Sequence, residues 1–313
     1  MARPFKFFAY DNGVPKNRLG LDDAQALSLI ERDLTHTRIL QLHAGISPEA
    51  TRGNFDLEHL KAIHQHIFQD VYDWAGLTRN QELTVRGEQV EPPATIYKDD
   101  GRIPLAFVPS RMVDQSLVDT FAELKRDNYL QGLTRDAFAD RAAITFARIN
   151  DAHPFMEGNG RTQREFMTQL AARAGHELNF DVVSGERMAI VSHEARAGDV
   201  SGMQRLFREI GDPERVHVLE EGQTHLDRLN FDWHRVYVAT VTPGWEYSGQ
   251  VAVTSPEVVV LRCDGEILMA QTRNFEWQPE PRELVTFRAF EYDRPEEWRN
   301  GEGGRQRDID LEL

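Results

Sequence analysis

The sequence predicts a mainly α-helical fold followed by a small β-rich domain. Three observations carry that expectation. Apolar residues recur at steps of three and four through residues 20–210. From Phe231 to Phe290, β-branched and aromatic residues alternate with turn residues. Near Gly211-Asp212-Pro213 the composition changes from the first pattern to the second. At 313 residues the chain has room for one large or two ordinary domains. Hydrophobic residues make up 40% and charged residues 28%, a globular balance, and no run of about 18 apolar residues would span a membrane.

Taken in chain order, Met1 to Tyr10 is basic and aromatic without an apolar stretch or small-residue cleavage site, so no secretory signal is expected. Leu57, Leu60, Ile63, Ile67, Val71 and Trp74 form one helical stripe, with Asn54 or Asp56 as its cap. Thr95-Ile96-Tyr97-Lys98 and Arg102 to Val108 are strand-like, and Asp99-Asp100-Gly101 between them is turn chemistry. A hairpin inside a helical domain must project from it, and Pro104 marks its second strand as an edge. Leu117, Val118, Phe121 and Leu124 form a second stripe, and Phe138, Ala142, Phe146 and Ile149 a third. The third helix should end near Asn150 and a fourth begin about Arg161, with Met167, Leu170, Ala171 and Ala174 on its apolar face.

The resulting division is a helical domain over 1–211, a linker over 212–229, a β-rich domain over 230–293 and a charged, flexible tail over 294–313. In the β-rich part, Val236 to Val241 and Val258 to Leu261 are the clearest strands, and Thr242-Pro243-Gly244 and Cys263-Asp264-Gly265 are turns. Strands of this kind can form an OB-like barrel. Trp245, Tyr247 and Trp277 are expected in its core.

The net charge of −15 divides into −5 over residues 1–210 and −10 over 211–313. Such an acidic chain is not expected to bind nucleic acid directly, and its acidic last third argues against that use of an OB-like barrel. The single cysteine, Cys263, rules out an internal disulfide, suits a reducing cytoplasm, and is expected as a packing residue.

The chemistry concentrates in His153-Pro154-Phe155-Met156-Glu157-Gly158-Asn159-Gly160-Arg161-Thr162-Gln163-Arg164. A glycine-rich loop opening a helix presents unpaired N–H groups and the positive end of the helix dipole, which together attract anions. Gly158 and Gly160 admit backbone conformations that other residues resist. Arg161 and Arg164, three apart, bring two guanidinium forks suited to a polyphosphate. Glu157 is a hard oxygen donor of the kind Mg²⁺ takes beside substrate phosphates. A neutral His153 can take a proton from an attacking hydroxyl, and Phe155 between polar neighbours should bury and anchor the loop. Singly, each of these residues is commonplace on a protein surface or turn; their joint order before a helix is not. His59, His64 and His66 lack the i, i+4 spacing of a zinc pair and are taken as structural or exposed. No GxxxxGK[ST] phosphate loop is present.

The twelve-residue run resembles the Fic family of nucleotidyl transferases, whose pattern H-x-F-x-[D/E]-G-N-G-R-x-x-R it meets at every fixed position. Val71-Tyr72-Asp73-Trp74-Ala75-Gly76 is similar to the family's segment ahead of its flap, and the likeness extends over roughly residues 15–210. The resemblance implies a helical bundle with a β-hairpin flap, and AMP transfer from ATP to a Tyr, Ser or Thr hydroxyl of a target protein. It implies His153 as base, Glu157 on Mg²⁺, and Gly158, Asn159 and Gly160 on the α- and β-phosphates. Arg161 and Arg164 would hold the β- and γ-phosphates, and Ile103, Pro104, Leu105, Ala106, Phe107 and Val108 the target polypeptide, as an added strand. Many relatives carry an inhibitory [S/T]-x-x-x-E-[G/N], which Thr78, Thr84 and Thr272 each fail to complete. That implies either no self-inhibition or, the reading preferred, a toxin or effector restrained by a separate small antitoxin, acting in the cytoplasm or exported by a specialised secretion system. Another donor, such as UTP or GTP, and a nucleotide-binding interaction module are the alternatives.

Overall fold

The computed structural model describes residues 3–46, 50, 52–97 and 102–290. The chain divides into two compact units. One takes in the chain up to Phe180 together with Met188–Gly211, and the other Asp181–Arg187 and the chain from Asp212.

The first unit is built of helices. They are α1 (Ala24–His43), α2 (Leu57–Phe68), α3 (Val113–Arg126), α4 (Arg135–Ala152), α5 (Asn159–Ala174), α6 (Gly185–Arg196, its first turn grouped with the second unit) and α7 (Ser201–Ile210). Caps decide several starts. The Asp56 carboxylate accepts from His59 N–H at 2.9 Å to open α2, and Thr134 Oγ1 accepts from Ala137 N–H to open α4. Leu60, Ile63 and Ile67 face the core, while Val71 and Trp74 are equally buried in the turns after α2 rather than on it. Of the α3 stripe, Leu117, Phe121 and Leu124 are buried, but Val118 is 49% exposed, one step off the apolar face. α5 packs between α2 and α4. It begins at Asn159, two residues before the expected start, because Gly158 takes the cap position with φ +78°.

A two-stranded hairpin, β1 (Leu83–Val85) and β2 (Glu88–Val90), was not expected from sequence. Its turn is Arg86-Gly87, both with positive φ, the primed geometry that matches strand twist. The expected hairpin at 95–108 is narrower than a pair of regular strands. Tyr97 and Ala106 form a single antiparallel bridge, and Phe107 N–H donates to Ile96 O at 3.1 Å. Its turn at 98–101 lies outside the described residues.

In the second unit, the segment expected as a linker is a helix, α8 (Pro213–Arg228). Asp212 caps it through Glu214 N–H, and Pro213 sits at its first position, where a missing N–H matters least. α8 packs on the sheet of the same unit. Gly222 brings it so close that an added Cβ would lie 2.3 Å from Met269 Sδ.

That sheet is β3 (Val238–Thr240), β4 (Glu246–Thr254), β5 (Val258–Cys263), β6 (Glu266–Gln271) and β7 (Leu284–Arg288), in the order β3-β6-β5-β4-β7. β3 and β6 run parallel, and the other neighbours antiparallel. Asp264-Gly265, both with positive φ, turn β5 into β6. Val251, Val259, Leu261, Ala270 and Phe287 are among the buried core, and Cys263 is buried with them. The two tryptophans expected in the core are not there: Trp245 is 56% and Trp277 52% exposed, and only Tyr247 of that trio packs on the core. The tail at 294–313 lies outside the described residues.

Candidate active site

The sequence 153–164 folds as a tight link between α4 and α5. His153 closes α4 in the left-handed region (φ 43°, ψ 62°), with its N–H on Ile149 O. Phe155 is fully buried, and its ring stacks on His64 of α2 at 3.8 Å between centroids. Asn159 ties the loop to itself: its Oδ1 accepts from Phe155 N–H at 2.9 Å, and its Nδ2 donates to Phe155 O at 2.7 Å. Gly158 is obligatory on two counts, since it has positive φ and an added Cβ would lie 2.2 Å from the Phe68 ring. Gly160 differs from expectation. Its φ is ordinary and its Cβ would meet only Arg164 Nη1, at 3.5 Å, so what its small size supplies is an uncrowded approach to the helix end.

No side chain caps the N-terminus of α5. Its first N–H groups therefore face outward with the positive end of the dipole. The Glu157 side chain is 47% exposed and accepts from Gly158 N–H at 2.9 Å. Among the described residues no cluster of three or more His, Cys, Asp or Glu could hold a metal unaided. One carboxylate beside an open anion cradle fits a Mg²⁺ that arrives with phosphate oxygens.

Arg161 is directed to α1. It donates to the Glu31 carboxylate and, at 3.0 Å, to Thr35 Oγ1, and it lies over Phe68 at 4.6 Å. Tyr72 Oη donates to the other Glu31 oxygen at 2.5 Å, and burial together with that carboxylate pushes the phenol far up. A cavity of about 470 Å³ is lined by Glu157, Arg161, Glu31, Tyr72, Asn12 and Val14. Arg164 reaches back beside Gly160.

The flap residues meet the same loop. Phe107, 4% exposed, stacks on the His153 imidazole with centroids 4.0 Å apart. Val108 N–H donates to Asp151 O at 3.2 Å. Ile103 is 78% exposed, and Pro104 and Ala106 are exposed as well.

Residues 54–171 match the Fic/DOC family. A protein of Salmonella typhimurium (strain LT2), named Probable protein adenylyltransferase Fic, is 31% identical over 63% of this chain and 86% of its own length. The chain belongs to the Fic/DOC family. A Bartonella henselae relative of the family, named Protein adenylyltransferase, is 32% identical over 269 residues, 84% of this chain but 47% of its own. The chain thus spans about half the length of that relative, and less of a second from the same genus. Two solved structures are also similar. The type IV secretion system effector protein BepA superposes with a TM-score of 0.83 and 29% identity, over 93% of this chain and 99% of that one. BepC of Bartonella tribocorum, solved with bound AMPPNP, gives 0.60 and 28%, over 66% and 97%.

Of the groups that brace this Fic loop, sequence reasoning missed Arg79 and took His64 as structural or exposed without placing it at the loop. Arg79 is fully buried, and its guanidinium donates to the carbonyls of Ala152 (3.1 Å), His153 (2.8 Å) and Val108, and to Ser110 Oγ (2.6 Å). Its backbone N–H adds Pro154 O at 2.7 Å. Burial draws the guanidinium down to about 10. His64 accepts from Gly76 N–H on Nδ1 at 2.8 Å, which leaves Nε2 to donate to Glu157 O at 3.0 Å. Burial pushes it down to about 3, so the imidazole is neutral. The one sequence signal for either was proximity to the Val71–Gly76 segment; only the fold brings them to the loop.

Proposed function

We propose that this Fic chain is a protein adenylyltransferase. It moves AMP from ATP to a Tyr, Ser or Thr hydroxyl of a target protein and releases pyrophosphate. The observation that carries the proposal is the union, in one short loop, of His153, Glu157 and an uncapped helix N-terminus flanked by Arg161 and Arg164. A simple nucleotide-binding module has no use for a base and a metal carboxylate together. The names of the Bartonella and Salmonella relatives, and the AMPPNP bound in BepC, support the choice of ATP.

The target hydroxyl oxygen bonds to the α-phosphorus and gives its proton to His153, and the bond from that phosphorus to the bridging oxygen breaks, with its electron pair leaving on pyrophosphate. Backbone N–H groups at Asn159 and Gly160, joined by that of Gly158 once Glu157 turns from it to Mg²⁺, hold the α- and β-phosphates, and Arg161 and Arg164 together hold the β- and γ-phosphates. Mg²⁺, when bound, neutralises phosphate charge, and Glu157 is its protein ligand. Ile103 to Val108 align the target as an added strand, for which exposed Ala106 offers an edge.

The protein belongs, on this proposal, among toxins or effectors restrained by a separate antitoxin, since its sequence lacks [S/T]-x-x-x-E-[G/N]. It acts in the cytoplasm of its own cell or, after export, of another. BepA's name as a type IV secretion effector supports the second setting. Expression without a partner should then slow growth, and unimpaired growth with the wild-type chain would count against an antitoxin.

The deciding experiment incubates the chain with Mg²⁺, α-labelled ATP and cell lysate, beside His153→Ala. Label on a discrete protein with the wild type alone supports the proposal. Transfer that survives in His153→Ala removes the base assignment, and label from UTP or GTP instead of ATP removes the donor.

A further inference from the structure

We propose that Arg196, at the end of α6, is a positioning residue that clamps the flap onto His153. The inference rests on the reading of His153 as base and of the 102–108 segment as the target-side flap. Arg196 lies outside the stretch that matches the family, 54–171, and none of the sequence motifs contains it.

Its side chain is only 6% exposed, and the contacts it makes converge on the site. The guanidinium donates to the Leu105 carbonyl of the flap. Its central carbon lies 3.8 Å from the centroid of the Phe107 ring. Nε lies 3.7 Å from the carboxylate of Asp151, two residues before His153, and the Asp151 carbonyl in turn accepts from Val108 N–H. Phe107 stacks on His153 at 4.0 Å. Both approaches are too short for the edge of a phenyl ring, so imidazole and guanidinium each lie against a face, with Phe107 between them.

Two consequences follow for the proposed chemistry. A guanidinium on one face of Phe107 is attracted by the ring and presses the phenyl against the imidazole, which fixes the plane in which His153 presents its nitrogens. The bond to Leu105 O holds the flap backbone at a set height above His153, and so sets where an added strand can lie. Lysine cannot replace this function, because stacking flat and donating sideways at once needs a planar fork.

The test compares wild type with Arg196→Lys and Arg196→Met by three readouts. The first is hydrogen exchange at Phe107 and Val108 N–H. The second is the position of the His153 ring signals in histidine-labelled protein, which feel the current of the Phe107 ring. The third is KM for an acceptor protein against KM for ATP. Loss of one charge-assisted hydrogen bond should speed flap exchange and raise acceptor KM by about tenfold or more, while ATP KM stays within about twofold. The His153 signals should move, and Arg196→Lys should recover part of each change. Unchanged exchange and unmoved ring signals in both variants would overturn the clamp, as would an equal rise in both KM values. If Arg196→Met does not fold, Arg196→Lys and Arg196→Gln carry the same readouts. If the wild type transfers no AMP at all, the exchange and ring-signal arms still decide the clamp, so the two failures stay distinct.

Discussion

Glu31 of α1 and Arg161 of α5, 130 residues apart in sequence, form one ion pair that sets the direction of the first arginine of the loop. Glu31 is 8% exposed and also accepts from Tyr72, so it is a buried carboxylate with both oxygens used. Removing the carboxylate leaves a guanidinium and a phenol without their acceptor. Glu31→Ala should therefore lower stability by about 2–3 kcal/mol in urea unfolding, and Glu31→Gln, which keeps an acceptor, by about half as much. Equal losses in the two variants would show that the pairing contributes little.

Gly158 is confined by its own backbone and by Phe68. Gly158→Ala should destabilise the protein by about 2–4 kcal/mol, from overpacking plus left-handed strain. In the double variant with Phe68→Leu only the packing part should return. Full recovery of the melting temperature would mean that the positive φ carries no strain.

Arg79 gathers three carbonyls and a hydroxyl with no exposed surface of its own. Arg79→Met should lower stability by about 3 kcal/mol or more, because buried acceptors are left unmade. It should also speed hydrogen exchange across residues 107–110. A variant that unfolds at the wild-type urea midpoint would refute the brace.

His64 makes folding sensitive to acid. Its folded pKa is pushed down to about 3 by burial, while an unfolded histidine takes a proton near 6.5. Between these values the unfolded state binds the extra proton. Stability is therefore full above about pH 6.5 and falls as the pH drops toward 3, by roughly 2 kcal/mol at pH 5. His59, also pushed down by burial, adds in the same sense. His64→Gln should be less stable at pH 7 but flatter between pH 7 and 5. An equally steep decline in the variant would remove His64 as the cause.

What could be read from the sequence was whatever is local. The order of residues 153–164 announced its loop, Phe155 its anchoring role, and the three-and-four spacing of Leu60, Ile63 and Ile67 its helix. α8 was misread because charges interrupt its apolar positions, although Asp212-Pro213 is a cap followed by a proline at the first helical position. β1 and β2, three residues each, are too short to show alternation. Trp245 and Trp277 show that aromatic size does not by itself assign a residue to the core. The braces at Arg79, His64 and Glu31 reach their partners from 12 to 130 residues away, and no spacing rule links such positions.

The rings behind the loop have an electrostatic meaning. Phe155, Phe68, His64 and Trp74 are all fully buried, so the N-terminal turn of α5 has water in front of it and hydrocarbon at its back. A low dielectric on one side leaves the field of those N–H groups screened from the front alone. The same turn set on a helix wetted all round would attract an anion less strongly and lose more of that attraction as salt is added.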